Sequence, residues 1–320
     1  MRIAFFTEGG YEGRVSRDNP NMRTDLAWIC SLQADHYNIS RLPQIKSNEY
    51  DLGIVILPKL NIDKISQYPL IKEMKRVCKK IGTMQEGPHW YFQDYPMEHQ
   101  LWFVNTLREL DFILCHNSWD KDYYRGLVGH KRVYQMKSLM ITDNIKPQIE
   151  PKDRSGVIIG GNMCQWYGGF DSYIVAQEFE EQIYAPSMGR KVQREEEMDI
   201  DHLPYMDWLN WMNNLSKFKY GVHLMRTHAA GTFALNCAYH GIPCIGYKGL
   251  DTQSLCHPQL TVEVRDLVGA KKLAKKLVED SNFYETACVT ARRNFDVFFG
   301  EEEFLNVMNK TFKEILNEGN

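Results

Sequence analysis

Short apolar runs alternate with helix-length amphipathic segments along most of the chain. Residues 2–7 read as a strand that runs into Glu8-Gly9-Gly10, and a helical stretch follows around 24–34. Residues 50–57 are β-rich, 71–80 form a basic amphipathic segment, and 81–85 form a short strand closed by Glu86-Gly87-Pro88-His89. Beyond that turn, 97–110 read as a helix, 112–116 as a strand and 119–128 as a helix. Strands spaced by helix-length segments predict βαβ units, a parallel sheet and right-handed crossovers.

The periodicity breaks over 143–155, where Pro147, Pro151 and charged residues predict a linker. The pattern then restarts. A strand over 156–159 runs into Gly160-Gly161, much as the first strand runs into Gly9-Gly10. A helix over 170–179 and apolar runs at 182–185 and 220–225 follow. The best-defined unit is 228–248, and 301–316 predict an amphipathic helix with Phe304, Val307, Met308, Phe312 and Ile315 on one face. The repeat is one of architecture, so the expectation is two α/β domains, 1–148 and 152–299.

Composition narrows the class. The 320 residues are 43% hydrophobic and 25% charged, as in soluble globular proteins. No window approaches the ~18 apolar residues that a membrane span needs. The opening residues read as a strand and not as a signal peptide. Eight cysteines are scattered without a Cys-x-x-Cys pair, which predicts reduced thiols and a cytoplasmic protein, in the host cytoplasm if viral. A net charge of -3 gives no global attraction to nucleic acid, so DNA would need a local basic patch.

The segment 228–246 carries the most chemistry. Small residues Ala229 to Gly231 let a backbone approach a ligand, Thr232 is a good N-cap, Gly241 suits a left-handed helix end, and Pro243 begins the next strand. A helix N-terminus offers bare N–H groups and the positive end of a dipole, a natural phosphate site. Arg226 and His228 are near enough in sequence to add charge or hydrogen bonds to the same anion. The same residues also describe an ordinary helix-strand unit with a well-capped helix, and both readings stand on local physics.

This segment resembles the donor-binding signature of GT-B glycosyltransferases, through Gly231, Gly241, Pro243 and Ile245. In that family a glutamate five residues before the second glycine bonds the ribose; Asn236 stands there, and His228 stands at the first acidic position. The resemblance implies two Rossmann-like domains facing across a cleft, with the final helix (300–320) returning to the first. It implies a donor site of Gly160, Gly161, Asn162, Arg226, His228, Gly231, Thr232 and Asn236. The segment from Asp201 to Trp208 resembles the one before the helix under the nucleobase. A nucleotide sugar, UDP-linked for preference, is the expected partner and co-substrate. No cofactor or metal is required; Asp199-Ile200-Asp201 matches the spacing of metal-using enzymes but lies in an acidic loop.

An inverting transfer needs a base for the acceptor hydroxyl. Glu86, at the end of the 81–85 strand, is the candidate, with Glu8 and Asp18 as alternatives; an exposed strand-end carboxylate is the equally weighted reading. Gly9, Gly10, Arg14 and His89 are expected on the acceptor side. Residues 80–96 and the Gly160-Gly161 turn resemble the bacteriophage β-glucosyltransferases that modify hydroxymethylcytosine in DNA. Their arginine pair after Gly-Gly is replaced here by Cys164 and Gln165, so Arg226, Arg190 or Lys191 would substitute. Arg14, Arg17 and Arg23, a stripe of Lys72, Lys75, Arg76, Lys79 and Lys80, and Lys131-Arg132 would follow a DNA backbone, or else be solvated faces.

The expected function is transfer of a sugar from a nucleoside diphosphate to a hydroxyl, a hydroxymethylated pyrimidine of phage DNA being one acceptor. A glycan or small-molecule acceptor, a GT-B-like epimerase and a non-catalytic nucleotide-sugar-binding module remain as alternatives. A dinucleotide oxidoreductase fits poorly, because Gly9-Gly10-x-x-Gly13 lacks the Gly-x-Gly-x-x-Gly spacing.

Overall fold

The structure is a computed structural model that describes all residues except 10–11, 59–61, 130–131, 148, 162, 165, 187–193 and 318–320. The chain forms two compact units. One comprises Met1–Asn19, Arg23–Ile141 and Glu301–Asn320, the other Pro20–Met22 and Thr142–Gly300.

In the first unit the order is β1 (Ile3–Thr7), α1 (Thr24–Ser31), β2 (Asp35–Asn38), β3 (Tyr50–Val55), α2 (Ile62–Gln67), α3 (Leu70–Val77), β4 (Cys78–Gln85), α4 (Met97–Glu109), β5 (Phe112–Cys115), α5 (Ser118–Val128) and β6 (Val133–Gln135). The strands form one parallel sheet ordered β2-β1-β3-β4-β5-β6. Helices cover both faces, so the central strands are apolar on both sides: every residue of β1 and β5 is buried.

The basic stripe expected over 72–80 is not one helix face. Leu70, Met74 and Val77 form the buried side of α3, and the chain turns extended at Cys78, which pairs with Tyr50 of β3. Lys79 and Lys80 therefore belong to β4, where Lys79 meets Asp51 at 2.7 Å and Lys80 lies 3.9 Å from Asp111. Arg76 bonds Glu73 and the carbonyls of Ile45 and Leu42, which fastens α3 to the preceding loop.

The second unit runs β7 (Val157–Ile159), α6 (Gly169–Ala176), β8 (Ile183–Ala185), β9 (Asp201–His202), α7 (Trp208–Leu215), β10 (Tyr220–His223), α8 (Thr232–Tyr239), β11 (Cys244–Tyr247), α9 (Asp251–Cys256), β12 (Thr261–Val262), α10 (Leu267–Glu279) and α11 (Ser281–Phe299). Its parallel sheet is ordered β12-β11-β10-β7-β8-β9. Counted within the unit, that is the doubly wound 3-2-1-4-5-6 order, whose direction reverses between β7 and β10.

The last helix, α12 (Glu301–Asn317), belongs to the first unit. It buries Phe304, Met308, Phe312 and Ile315, while Val307, expected on that face, is 38% exposed. Arg17 holds its first residue, with both guanidinium Nη atoms on the Glu301 carboxylate at 3.0 and 2.8 Å. No described helix is long and apolar enough to cross a membrane. None of the eight cysteines is joined in a disulfide.

Candidate functional site

In open α/β sheets, ligands gather outside the carboxyl ends of the strands where the strand order reverses. In the second unit that point lies between β7 and β10, neighbours joined by Val222 pairing with Ile159. Gly160 and Gly161 follow β7 there. A Cβ on Gly160 would come within 2.5 Å of the His223 ring and 2.8 Å of Phe233, so only glycine lets the turn settle. Gly161 takes φ 74°. Asn162 lies outside the described residues.

Two helices start at this edge, and they start alike. Gly168 (φ 66°) precedes α6 and Gly231 (φ 63°) precedes α8; neither helix has a side-chain cap. Thr232, expected as the N-cap of α8, lies one residue inside the helix, because the left-handed turn that only glycine adopts cheaply falls on Gly231. The six-residue α9 also lacks a side-chain cap, but the other helices of this unit, all of eight residues or more, differ. Asp207, Asp266 and Asp280 cap α7, α10 and α11, each accepting a backbone N–H of the first turn. The first N–H groups of α6 and α8 thus carry the positive helix end with no carboxylate capping them, as an anion site requires. Ser172 ties the two strand exits together, donating to Gly168 O at 2.8 Å and accepting from Leu224 N at 2.9 Å.

Charge at this edge is organised around Asp171, in the first turn of α6. Arg226 meets it at 2.5 Å and the Tyr247 hydroxyl donates to it at 3.2 Å. The carboxylate raises the Arg226 pKa, and the side chain remains 38% exposed. His228 is half-buried, its ring lying where a Cβ on Gly249 would be, 2.2 Å from Nε2.

Asn236 is a correction. It is 2% exposed, and with its amide in the orientation that satisfies both atoms it joins α8 to α7: the nitrogen donates to Thr232 O at 3.0 Å and the oxygen accepts from Trp211 Nε1 at 2.9 Å. Helix packing engages both ends of the amide and keeps the side chain away from solvent, whereas the ribose role had placed it in the open. His223, which the sequence reading passed over, ends β10 directly beneath the Gly160 turn. It is buried, packs edge-on against Phe233 with centroids 5.0 Å apart, and neither ring nitrogen has a partner among the described residues. Burial lowers its pKa to about 4, so it is neutral at pH 7. A single histidine in an apolar strand carries no sequence signal of such a place.

In the first unit the strand order reverses between β1 and β3, so Glu8 and Gly9, directly after β1, stand at that switch point. Gly9 N donates to Thr7 Oγ1 at 3.0 Å, and Asn38 donates to Glu8 O at 3.0 Å, which holds the turn against β2. Gly10 lies outside the described residues. Glu86 is half-buried at the carboxyl end of β4, on the same edge of the sheet, before Gly87 at φ 92°. His89 follows, 3.8 Å from Asp120 and packed on Tyr123 at a centroid distance of 4.4 Å.

Arg14 does not join them. The loop after β1 doubles back, Gly13 bridging antiparallel to His36, and Arg14 Nε reaches Asp35 at 2.8 Å. Asp35 is the first residue of β2, so Arg14 sits at the amino edge of the sheet, opposite Gly9. Arg190 and Lys191 lie outside the described residues, as do Gln165 and Lys131. Among the described residues no cluster of three or more His, Cys, Asp or Glu side chains could hold a metal.

No family model and no curated protein sequence matches the chain. Solved structures do. Sucrose-phosphate synthase from Thermosynechococcus elongatus is 11% identical with a TM-score of 0.68, each chain covered in full. HepE of Anabaena, solved with UDP-glucose, is 9% identical with a TM-score of 0.71, over 98% of this chain and all of its own. TarM is 10% identical with a TM-score of 0.65 over 86% of this chain, which spans 57% of the length of TarM. These are GT-B glycosyltransferases, and at such identities the likeness concerns architecture: the chain has the GT-B fold, two Rossmann-like units with parallel six-stranded sheets.

Proposed function

We propose that the protein is a glycosyltransferase that moves a sugar from a UDP-sugar to an acceptor hydroxyl. The observation that carries this reading is the pair of glycine-led, uncapped helix starts, α6 and α8, at the switch point between β7 and β10. A diphosphate laid across that edge accepts from their first-turn N–H groups and from the Gly160-Gly161 turn. Arg226, held by Asp171, adds a cation as charge builds on the leaving diphosphate. HepE, solved with UDP-glucose, and TarM, solved with UDP, supply the nucleotide by analogy.

Glu86 is proposed as the base that takes the acceptor proton, from its place at the carboxyl end of β4. Glu8, at the switch point of the same sheet, is the alternative for that role. The hydroxymethylpyrimidine acceptor rests on the resemblance of residues 80–96 and the Gly160-Gly161 turn; Arg76 and Lys79 are paired within the fold and leave less charge for a DNA backbone than the sequence suggested. A screen of UDP-sugars against hydroxymethylated duplex, plain duplex, glycans and water tests the reading. Sugar-dependent UDP release supports it, and product on the modified duplex alone selects the DNA acceptor. Absence of UDP binding and of turnover with every donor contradicts it.

A further inference from the structure

A carboxylate stands at the donor edge, where a diphosphate by itself would call for none. Asp171 is the third residue of α6, and its side chain is 16% exposed. Both of its recorded hydrogen bonds fall on Oδ2, from Arg226 Nη2 at 2.5 Å and from the Tyr247 hydroxyl at 3.2 Å. Tyr247 ends β11 and is 1% exposed, so its hydroxyl reaches Asp171 from the sheet and fixes which carboxylate oxygen faces the fold. Oδ1 accepts from none of the described residues.

The positive end of α6 favours a negative charge in its first turn, and Arg226 balances that charge while the edge is empty. A nucleoside diphosphate brings further negative charge, which Arg226 must then share between the phosphates and Asp171. The open oxygen of the carboxylate can only accept, so what it can take from a nucleotide sugar is a hydroxyl, and the sugar ring carries several. A diphosphate on the first N–H groups of α6 places the sugar one glycosidic oxygen further on, within reach of a side chain in the same helical turn.

We infer that Asp171 recognises the donor's sugar by accepting one of its hydroxyls on Oδ1, and that the site therefore takes neutral, hydroxyl-bearing sugars in preference to uronates. The inference rests on the donor reading of the same edge. A hydroxyl donating to a carboxylate makes a charge-assisted hydrogen bond, stronger than one between neutral groups. A uronate adds a second carboxylate with no hydrogen to donate, at an edge whose Arg226 is already shared by Asp171 and the diphosphate. Tyr247 acts through Asp171: it holds Oδ2 toward the sheet and leaves Oδ1 turned to the ligand.

Calorimetric titration of the full chain with UDP, UDP-glucose and UDP-glucuronate tests it, UDP reporting the donor reading and the ratio of the two sugar nucleotides reporting the inference. The wild type should bind UDP-glucose about tenfold or more tighter than UDP-glucuronate. In Asp171→Asn the two donors on Oδ2 fix the amide, so its oxygen keeps that place and its N–H groups replace Oδ1. An acceptor becomes a donor there, and the preference should vanish or invert while UDP binds as tightly as before or more so. Tyr247→Phe keeps the carboxylate and should keep the preference. Absence of UDP binding in the wild type contradicts the donor reading and the inference with it. UDP binding with no preference between the two sugars overturns the inference alone. So does a preference that Asp171→Asn retains, an equal loss of preference in Tyr247→Phe, or a loss of UDP binding in Asp171→Asn.

Discussion

Replacing Gly231 by alanine separates the anion-binding reading of α8 from a purely structural one, because Gly241 closes the same helix in the same backbone region. The two glycines have φ of 63° and 62°. An alanine at either carries a left-handed penalty of about 1–2 kcal/mol. At Gly241 the new Cβ meets the Cys288 carbonyl at 3.2 Å, a tight contact that small shifts accommodate. At Gly231 it falls 2.2 Å from Thr252 Oγ1, and Thr252 is 2% exposed. Relieving that overlap costs about 1–3 kcal/mol more. It also displaces the first turn of α8, where one or two charge-assisted hydrogen bonds to a phosphate are worth about 1.5–3 kcal/mol each. Urea denaturation should therefore show both variants destabilised, Gly231→Ala the more. Calorimetric titration with UDP, at a temperature where both are folded, should show Kd raised about tenfold to a hundredfold or more in Gly231→Ala and unchanged in Gly241→Ala. Adding Thr252→Ala to Gly231→Ala removes the overlapping oxygen and should recover part of the affinity. Equal UDP affinity in the two single variants would refute the reasoning, since the N-terminal turn would then have no role that its C-terminal counterpart lacks.

Three further outcomes follow from the same geometry. Glu86→Gln should lower transfer by about 10²–10⁴ while UDP affinity stays at the wild-type value; full turnover in that variant, with loss in Glu8→Gln, would move the base to the switch point of the first sheet. Asn236→Ala should destabilise by about 1–3 kcal/mol, since the Trp211 indole N–H loses its acceptor, yet leave UDP Kd unchanged; a loss of UDP affinity in the folded variant would restore the ribose role. Burial lowers the pKa of His223 and His257 to about 4 and of His240 to about 3, each below the unfolded value of about 6.5. The unfolded chain then binds more protons below that value, so stability is full above it and falls as pH drops toward the folded values, by on the order of 3–5 kcal/mol per histidine in all and about 2 kcal/mol by about pH 5. Urea midpoints measured from about pH 7 down to about pH 5 should decline, and His223→Phe should flatten the decline; a midpoint level across that window would contradict it.

Most strands were legible because they are buried on both faces and read as apolar runs, as in Phe5-Phe6 and Ile113-Leu114. Those missed lie toward the sheet margins and are short or polar. Asp35-His36-Tyr37-Asn38 pairs with β1 on one side only, and Asp201-His202 spans two residues beside β8. The end of α3 was misplaced for a different reason. Helical spacing persists through Val77, and what makes Cys78 extended is its pairing with Tyr50, a partner far away in sequence.

At the site, the glycines were legible because a left-handed position selects them, while what surrounds them was not. Thr232 has the right chemistry for a cap but stands one residue inside the turn that Gly231 makes. Asn236 was placed by pattern, and its burial against Trp211 depends on how α7 packs on α8. Arg14 was assigned by its distance along the chain from Gly9, and the Gly13–His36 bridge sends it to the far edge of the sheet.

A crystal structure of the protein with UDP tests the central claim most directly. Diphosphate density within hydrogen-bond reach of the first N–H groups of α8 and of the Gly160-Gly161 turn is the expected result. Density elsewhere on the protein, or none at millimolar UDP, would contradict it.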